Sequence, residues 1–205
     1  MSVSTLNGLE TYLSALASSA GTPGGGAAAA VSGAQAAALL SMVCELTRGD
    51  RFSAVAEEVA ALNQSCHQRR SRMLALAEAD MQAFEGVMAA WRRPKAERQA
   101  ALQPALAAAA EPALDMMALA VDMLPAAARL ATVGNPNLIT DVGAAALQID
   151  ACVRCARLNV LVNAQAIKDA KLADALKDRM AQSMHLLESE LPPVVRTVEA
   201  RLMGR

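Results

Sequence analysis

The chain has 205 residues, of which 54% are hydrophobic and only 2% aromatic, and its formal net charge is −1. A chain of this length can bury one sizeable core, and the near-neutral charge without a basic run argues against nucleic acid as a partner. Alanine, leucine, valine and methionine must therefore build the interior, and most of these residues are strong helix formers. The composition predicts a single all-α domain over residues 1–205, soluble and cytoplasmic, without a secretory signal.

Taken in chain order, the apolar spacing predicts helices and no strands, since no run alternates with period two. Three prolines, Pro104, Pro112 and Pro125, predict kinks or breaks between residues 95 and 133. Ser53 is expected to cap the third helix, and Thr140 the one that contains Asp141. The other predicted helices span residues 4–19, 27–47, 53–91, 140–167 and 169–203. The sequence thus predicts a bundle of six to seven mostly long helices.

An uncharged segment from Leu16 to Cys44 is long enough to raise the question of a membrane span. Pro23, the adjacent glycines, Gln35 and four serines interrupt it, and its alanines are only weakly apolar. We interpret the helix after the glycines as the buried centre of a soluble bundle, and we expect no membrane partner.

The segment Thr22-Pro23-Gly24-Gly25-Gly26 precedes that central helix. Glycine amides carry no shielding Cβ, and a helix N-terminus favours anions through its unpaired N–H groups and its dipole. The same segment also suits a plain hinge between two helices, and the spacing alone does not decide between a binding loop and a hinge.

Polar residues occupy two places where the helical pattern asks for apolar ones. Asp80 falls within the stripe of Met73, Leu76, Ala77, Phe84, Val87 and Trp91. A carboxylate there is either desolvated, which favours acid–base catalysis, or hydrogen-bonded as a structural buried group.

Asn159 and Asn163 share a helix face, and Asp141 lies on the same side, five turns or about 27 Å earlier. An extended ligand or an antiparallel twofold partner could bring Asp141 and Asn159 together, although Asp141 also suits ordinary N-terminal helix charge.

Cysteine and histidine spacing gives little support for a metal or redox centre. Cys152 and Cys155 have CxxC spacing within a helical segment, but no second pair or βαβ pattern accompanies them. His67 and His185 are the only histidines, and neither has a ligand partner four residues further along the chain. We therefore expect no metal and no redox cofactor.

Several segments in order along the chain resemble one known family. They comprise residues 22–26, 41–43, 46–47, Asp80, 83–84, 87–88, 94–95, 111–114, 134–137, 140–143, 158–160, Asn163 and 167–169. Together they resemble the cyclodeaminase domain of formiminotransferase-cyclodeaminase and the stand-alone bacterial methenyltetrahydrofolate cyclohydrolases of that superfamily.

The resemblance implies an all-helical homodimer that binds a folate substrate, with no other cofactor, in a cleft. It implies Asp80 and Asp141 as the catalytic carboxylates, and either of the two could be the acid–base group. The implied substrate-binding residues are Thr22, Pro23, Gly24, Gly25, Gly26, Arg48, Arg51, Asn135, Asn159, Asn163 and Lys168. This chain has Arg48-Gly49-Asp50-Arg51-Phe52 where the family usually has a lysine-rich segment, so Arg48 and Arg51 are the candidate clamps for the folate's carboxylates.

Three functions are compatible with these residues. The first is hydrolysis of 5,10-methenyltetrahydrofolate to 10-formyltetrahydrofolate, which the length without a fused transferase domain favours. The second is formiminotetrahydrofolate cyclodeamination with release of ammonia. The third is a non-catalytic helical homodimer that serves as a binding or scaffold protein, for which the altered segment 48–52 is the main support.

Overall fold

The computed structural model describes residues 7–204, and within that range the chain forms helices and no strands. Seven α-helices and two 3-10 turns, at Asp50–Val55 and Pro136–Leu138, follow one another. The α-helices are α1 (Asn7–Leu16), α2 (Gly25–Glu45), α3 (Ala56–Trp91), α4 (Lys95–Val121), α5 (Leu124–Val133), α6 (Ile139–Ala166) and α7 (Ala170–Leu202). The predicted all-α class is confirmed.

Helix α2 lies at the centre of the bundle, where it packs mainly against α3 and α6. Its alanines are buried on nearly every side, which explains why the helix carries no charge before Glu45. At Gly33 an added Cβ would press against the side chain of Met73 and the Sγ atom of Cys152. Small residues on α2 therefore let α3 and α6 each pack closely against it.

The remaining long helices complete the bundle around this centre. Helix α4 packs against both α3 and α6, and α7 covers α4, α5 and α6. Helix α2 separates α3 from α6 along most of their length. At the N-terminus of α2, residues of both α3 and α6 line the same cavity. This arrangement places the N-terminus of α2 at the end of a cleft between α3, α4 and α6.

The prolines break the helices less often than predicted. Pro104 and Pro112 lie inside the continuous helix α4, and only Pro125, in the first turn of α5, marks a real boundary. Each proline removes one backbone hydrogen bond, but packing of the buried face stabilises the rest of this 27-residue helix.

Several predicted helix ends are wrong by a few residues. Helix α2 begins at Gly25, so two of the three glycines form its first turn and do not belong to a loop. Ser53 caps nothing, because it lies in a 3-10 turn and α3 begins at Ala56 after Val55. Thr140 lies inside the first turn of α6, which starts one residue earlier. The first helix ends at Leu16, and residues 4–6 of its predicted start lie outside the described residues.

By length and composition alone, α2 and the segment 95–133 could each span a membrane. Within the bundle, 61% of the most apolar window of α2 and 50% of that of the second segment are buried. Core helices of a globular protein have the same properties, and the central position of α2 accounts for its apolar character.

Candidate functional site

A cavity of about 400 Å³ opens at the N-terminus of α2. Its size falls in the range of small-molecule sites, and its walls are largely apolar with a few polar groups. The residues around it come from the segment before α2 and from α2, α3, α4 and α6. They are Gly21, Thr22, Gly24, Gly25, Gly26, Asp80, Phe84, Val87, Trp91, Leu106, Ala109, Asn159, Val162, Asn163 and Ala166.

The glycine segment brings the backbone of the α2 N-terminus to the cavity wall. Gly24 is the N-cap residue, in an extended conformation and without a side-chain cap, and its carbonyl accepts from the N–H of Ala28 at 3.0 Å. The peptide bond before Pro23 is cis. The first-turn amides and the helix dipole make this end of α2 electropositive, so it favours a negative group nearby.

Asp80 on α3 provides that negative group. An added Cβ on Gly26 would collide with the Asp80 carboxylate, so the glycine is what allows the carboxylate to sit against the helix end. The carboxylate accepts a hydrogen bond from the Ala27 N–H, which partly offsets its desolvation. Burial is the larger effect, and it raises the pKa of Asp80 above its ordinary value. The result is a carboxylate held ready to accept or return a proton.

Asn159 and Asn163 face the cavity from α6, one helical turn apart. The Asn163 Nδ2 donates to the main-chain oxygen of Asn159 at 2.9 Å, which fixes the Asn163 side chain. Both amides therefore stand at the same wall, where they can orient a water or a ring amide of a ligand.

Two aromatic rings complete the cavity, and the sequence analysis missed their role. Phe84 and Trp91 are 42% and 52% exposed, although the helical pattern assigned them to a buried stripe. The chain has only four aromatic residues, and two of them line this one cavity. Two features of the sequence could have indicated this role: aromatic residues are scarce in the chain, and Phe84 and Trp91 lie one and three helical turns after Asp80. The guanidinium of Arg98 lies 5.5 Å from the Trp91 ring centre.

The end of α6 is tied to α4 beside the cavity. Gln103 donates through Nε2 to the Ala166 carbonyl at 3.3 Å and accepts from the Lys168 N–H at 2.6 Å. Lys168 itself is exposed, two residues beyond the cavity wall, and does not line it.

A second group of predicted site residues lies at the opposite end of α2. Arg51 donates to the Oδ1 of Asn135 at 3.2 Å, while the Nδ2 of Asn135 donates to the Leu46 carbonyl at 2.9 Å. Asn135 thus joins the end of α2 to the turn before α6, and Arg48 lines a different cavity. With 21 residues in α2, these side chains are about 30 Å from the glycine end at 1.5 Å per residue.

Asp141 is also remote from the cavity. It is half-buried in the first turn of α6, about 27 Å from Asn159 along the helix. Within one protomer the predicted site residues therefore do not all line one cleft. Thr22, the glycines, Asp80, Asn159 and Asn163 line this cavity, whereas Pro23, Arg48, Arg51, Asn135, Asp141 and Lys168 do not.

Among residues 7–204, no three His, Cys, Asp or Glu side chains form a group able to hold a metal ion. Of the CxxC pair, Cys152 is buried and Cys155 is exposed.

Fold and cavity together define an all-helical protein with a small-molecule site built on a helix N-terminus and a buried carboxylate. Residues 8–182 match the family model described as formiminotransferase-cyclodeaminase. The chain is 39% identical to a methenyltetrahydrofolate cyclohydrolase of Methylorubrum extorquens, over 81% of this chain and 83% of that protein. The chain belongs to the formiminotransferase-cyclodeaminase family.

Two further relatives place the chain within that family. It is 30% identical to the formimidoyltransferase-cyclodeaminase of Sus scrofa over 94% of its own length, and spans 37% of that longer protein. The crystal structure of a formiminotetrahydrofolate cyclodeaminase from Thermotoga maritima superposes with a TM-score of 0.88 at 30% identity, covering 95% of this chain and 96% of that one.

Proposed function

We propose that the protein is a methenyltetrahydrofolate cyclohydrolase, which converts 5,10-methenyltetrahydrofolate and water to 10-formyltetrahydrofolate. The observation that carries this proposal is the desolvated Asp80 carboxylate at the α2 N-terminus, inside a cavity with two aromatic rings. The name of the Methylorubrum extorquens relative supports this reaction over the cyclodeaminase reaction, because the chain is 39% identical to that relative and 30% identical to the Thermotoga maritima cyclodeaminase.

The substrate carries a positive charge on its bridging amidine carbon, and the ionised Asp80 stabilises that charge. Water adds its oxygen to this carbon and gives one proton to Asp80. The bond from the carbon to N5 then breaks, the hydroxyl proton moves to N5, and the formyl group stays on N10. The reaction turns one cation and one water into a neutral product and one released proton, and Asp80 passes that proton to solvent.

The other cavity residues supply binding and orientation. Phe84 and Trp91 offer ring faces for the planar pterin or benzoyl ring. Asn159 and Asn163 orient the attacking water or the pterin amide, and the glycine N–H groups donate to an anionic or carbonyl oxygen of the folate. The proposed steps use only these residues, Asp80, the folate and water.

We further propose that the protein works as a cytoplasmic homodimer. Support for the dimer comes from α6, where Leu147, Leu158 and Val162 are each 61% exposed, an unusual exposure for large apolar residues. The four cysteines form no disulfide within residues 7–204, which supports a cytoplasmic location.

The decisive assay offers the purified protein two substrates. Loss of the methenyltetrahydrofolate absorbance with formation of 10-formyltetrahydrofolate supports the proposal. Release of ammonia from formiminotetrahydrofolate, without that hydrolysis, would assign the cyclodeaminase reaction. Folate binding without turnover of either substrate would assign the scaffold alternative, and both enzyme readings would then be wrong.

A further inference from the structure

A second cavity adjoins the one at the N-terminus of α2. Its volume is about 810 Å³, and it lies between the segment before α2 and the last three turns of α3. The two cavities share Gly21, Thr22 and Phe84. An added Cβ on Gly21 would lie 3.8 Å from the Phe84 ring, so these two residues lie next to each other at the boundary between the cavities. A long ligand can therefore extend from one cavity into the other past the Phe84 ring.

Arg92 lies at the end of the second cavity that is remote from Asp80. It follows Phe84 by eight residues, or about 12 Å along α3, and Asp80 by twelve residues, or about 18 Å. Steps of four residues lead from Phe84 through Met88 to Arg92, so the three side chains follow one side of the helix. Glu85 also lines this cavity, two turns before Arg92. The charge along the cavity thus changes from negative near Phe84 to positive at Arg92.

The turn between α3 and α4 concentrates positive charge in a chain whose net charge is −1. Residues 92–98 contain three arginines, one lysine and a single glutamate. Of these four cations, only Arg92 lines either cavity. Arg93 forms an ion pair with Glu97 at 3.7 Å, whereas the exposed Arg92 side chain has no ion pair or hydrogen bond within residues 7–204. The Arg92 guanidinium is therefore available to an anionic group of a ligand.

A tetrahydrofolate has a shape and a charge distribution that match the two cavities. Its pterin carries the reacting carbon, and a benzoyl ring and a glutamate with two carboxylates follow. With the reacting carbon at Asp80, the benzoyl ring reaches Phe84, and the glutamate extends along α3 towards Arg92. A guanidinium binds a carboxylate through two parallel hydrogen bonds, which makes Arg92 a specific partner for this end of the folate. Repulsion from Glu85 acts in the same direction, because it is weakest at the Arg92 end of the cavity.

We propose that the second cavity is the subsite for the benzoylglutamate arm of the folate, and that Arg92 is the specificity-determining residue that binds its carboxylates. The proposal rests on the proposed function for the identity of the ligand. It gives the protomer a carboxylate partner that Arg48 and Arg51 do not provide. Those two arginines lie at the other end of α2, about 30 Å away, where Arg51 donates to Asn135.

Binding of two ligands that differ only in charge tests the subsite without turnover. The first ligand is 5-formyltetrahydrofolate, and the second is its diamide, in which carboxamides replace both carboxylates. Quenching of the Trp91 fluorescence reports binding of each ligand, because Trp91 is the single tryptophan and lines the first cavity. Wild type should bind the dicarboxylate about tenfold more tightly than the diamide, since hydrogen bonds between charged groups are stronger than those of neutral groups. Arg92→Ala should lose most of this preference and bind the diamide as wild type does.

Arg93→Ala is the matched control, because it removes the neighbouring arginine, which lines neither cavity. It should keep the wild-type preference for the dicarboxylate. An equal loss in Arg92→Ala and Arg93→Ala, or an unchanged preference in Arg92→Ala, would overturn the role of Arg92. Equal affinity of wild type for the two ligands would overturn the subsite while leaving the proposed function intact. If wild type binds neither ligand, the proposed function is wrong, and the subsite assignment is wrong with it.

Discussion

At the scale of single residues, the ionisation of Asp80 is the feature with the clearest energetic consequence. Burial raises the pKa of its carboxyl in the folded state, so the folded chain binds this proton more tightly than the unfolded chain. The stability that this difference contributes is present below the unfolded pKa and is lost as pH rises through the folded pKa. At neutral pH the fold therefore carries the cost of a partly desolvated charge.

Asp80→Asn should consequently raise the thermal midpoint of unfolding at pH 7. The amide keeps the shape and can still accept from Ala27, but it has no charge to desolvate. The gain should shrink as the pH falls below the raised pKa, because wild-type Asp80 is then neutral as well. Thermal unfolding between pH 4 and 8 measures this, with the exposed Glu78→Gln on the same helix as control. A gain that does not change with pH would contradict the assignment of the cost to ionisation.

Trp91 gives a direct readout of ligand binding, because it is the single tryptophan of the chain and lines the cavity. A stable folate such as 5-formyltetrahydrofolate should quench its fluorescence on titration. Trp91→Ala should weaken binding about tenfold or more, since stacking on an aromatic ring contributes roughly 1–3 kcal/mol per ring. Trp91→Phe should recover most of the affinity, measured by calorimetry. Equal affinity of wild type and Trp91→Ala for the folate would show that the Trp91 ring does not contribute to binding.

At the scale of elements, hydrophobic spacing predicted the existence and type of nearly every helix. It located α6 and α7 to within about one residue at each end. It failed at helix starts such as Gly25 and Ala56, where no side chain caps the helix and packing fixes the boundary. It also failed for Phe84 and Trp91, because a stripe predicts which face packs but cannot tell a core from the wall of a cavity.

The first turn of α2 shows what its glycines do. At Gly26 an added Cβ collides with the Asp80 carboxylate, whereas at Gly25 nothing lies within 4 Å and the cavity is open. Gly26→Ala should displace the carboxylate, lower turnover more than tenfold and cost roughly 1–3 kcal/mol in unfolding free energy, as overpacking does. Gly25→Val should keep the fold, but its side chain should occupy part of the cavity that the ligand needs. The KM for methenyltetrahydrofolate should therefore rise, with a smaller effect on kcat.

Steady-state kinetics and urea unfolding separate these two outcomes. The matched control is Gly86→Ala, at an exposed position of α3 with open space around it, which should stabilise the helix slightly and leave kinetics unchanged. If Gly26→Ala has wild-type turnover and stability, the close contact between Gly26 and Asp80 contributes to neither catalysis nor folding. If Gly25→Val binds folate normally, the glycine segment is only a hinge.

At the scale of the whole molecule, the site residues fall into two groups about 30 Å apart, at the two ends of α2. Sequence reasoning proposed both groups through resemblance, and the helical repeat indicated that Asp141 and Asn159 share a side of α6. It could not bring the groups together, because within one protomer they lie at the two ends of α2. The exposure of Leu147, Leu158 and Val162 on α6, which supports the proposed dimer, is visible only once burial is known.

If the protein is the homodimer proposed above, Leu158→Asp should convert it to a monomer and reduce activity, because it puts a charge on the exposed apolar face of α6. The matched control is Leu74→Asp, which alters an exposed leucine on α3. Multi-angle light scattering at micromolar concentration measures the mass of both variants, and circular dichroism verifies their helix content. A Leu158→Asp protein that remains a fully active dimer would locate the interface elsewhere.

The central claim is that Asp80 is the acid–base group of a folate-hydrolysing site, and turnover by the Asp80→Asn dimer tests it most directly. Hydrolysis of 5,10-methenyltetrahydrofolate is followed by absorbance for wild type and variant, at equal concentrations of dimer verified by light scattering. The account predicts a fall in kcat of roughly 10²–10⁴-fold, the usual contribution of a positioned general acid or base, with the dimer intact. Near-wild-type kcat in a folded Asp80→Asn dimer would contradict it and leave Asp141 as the candidate.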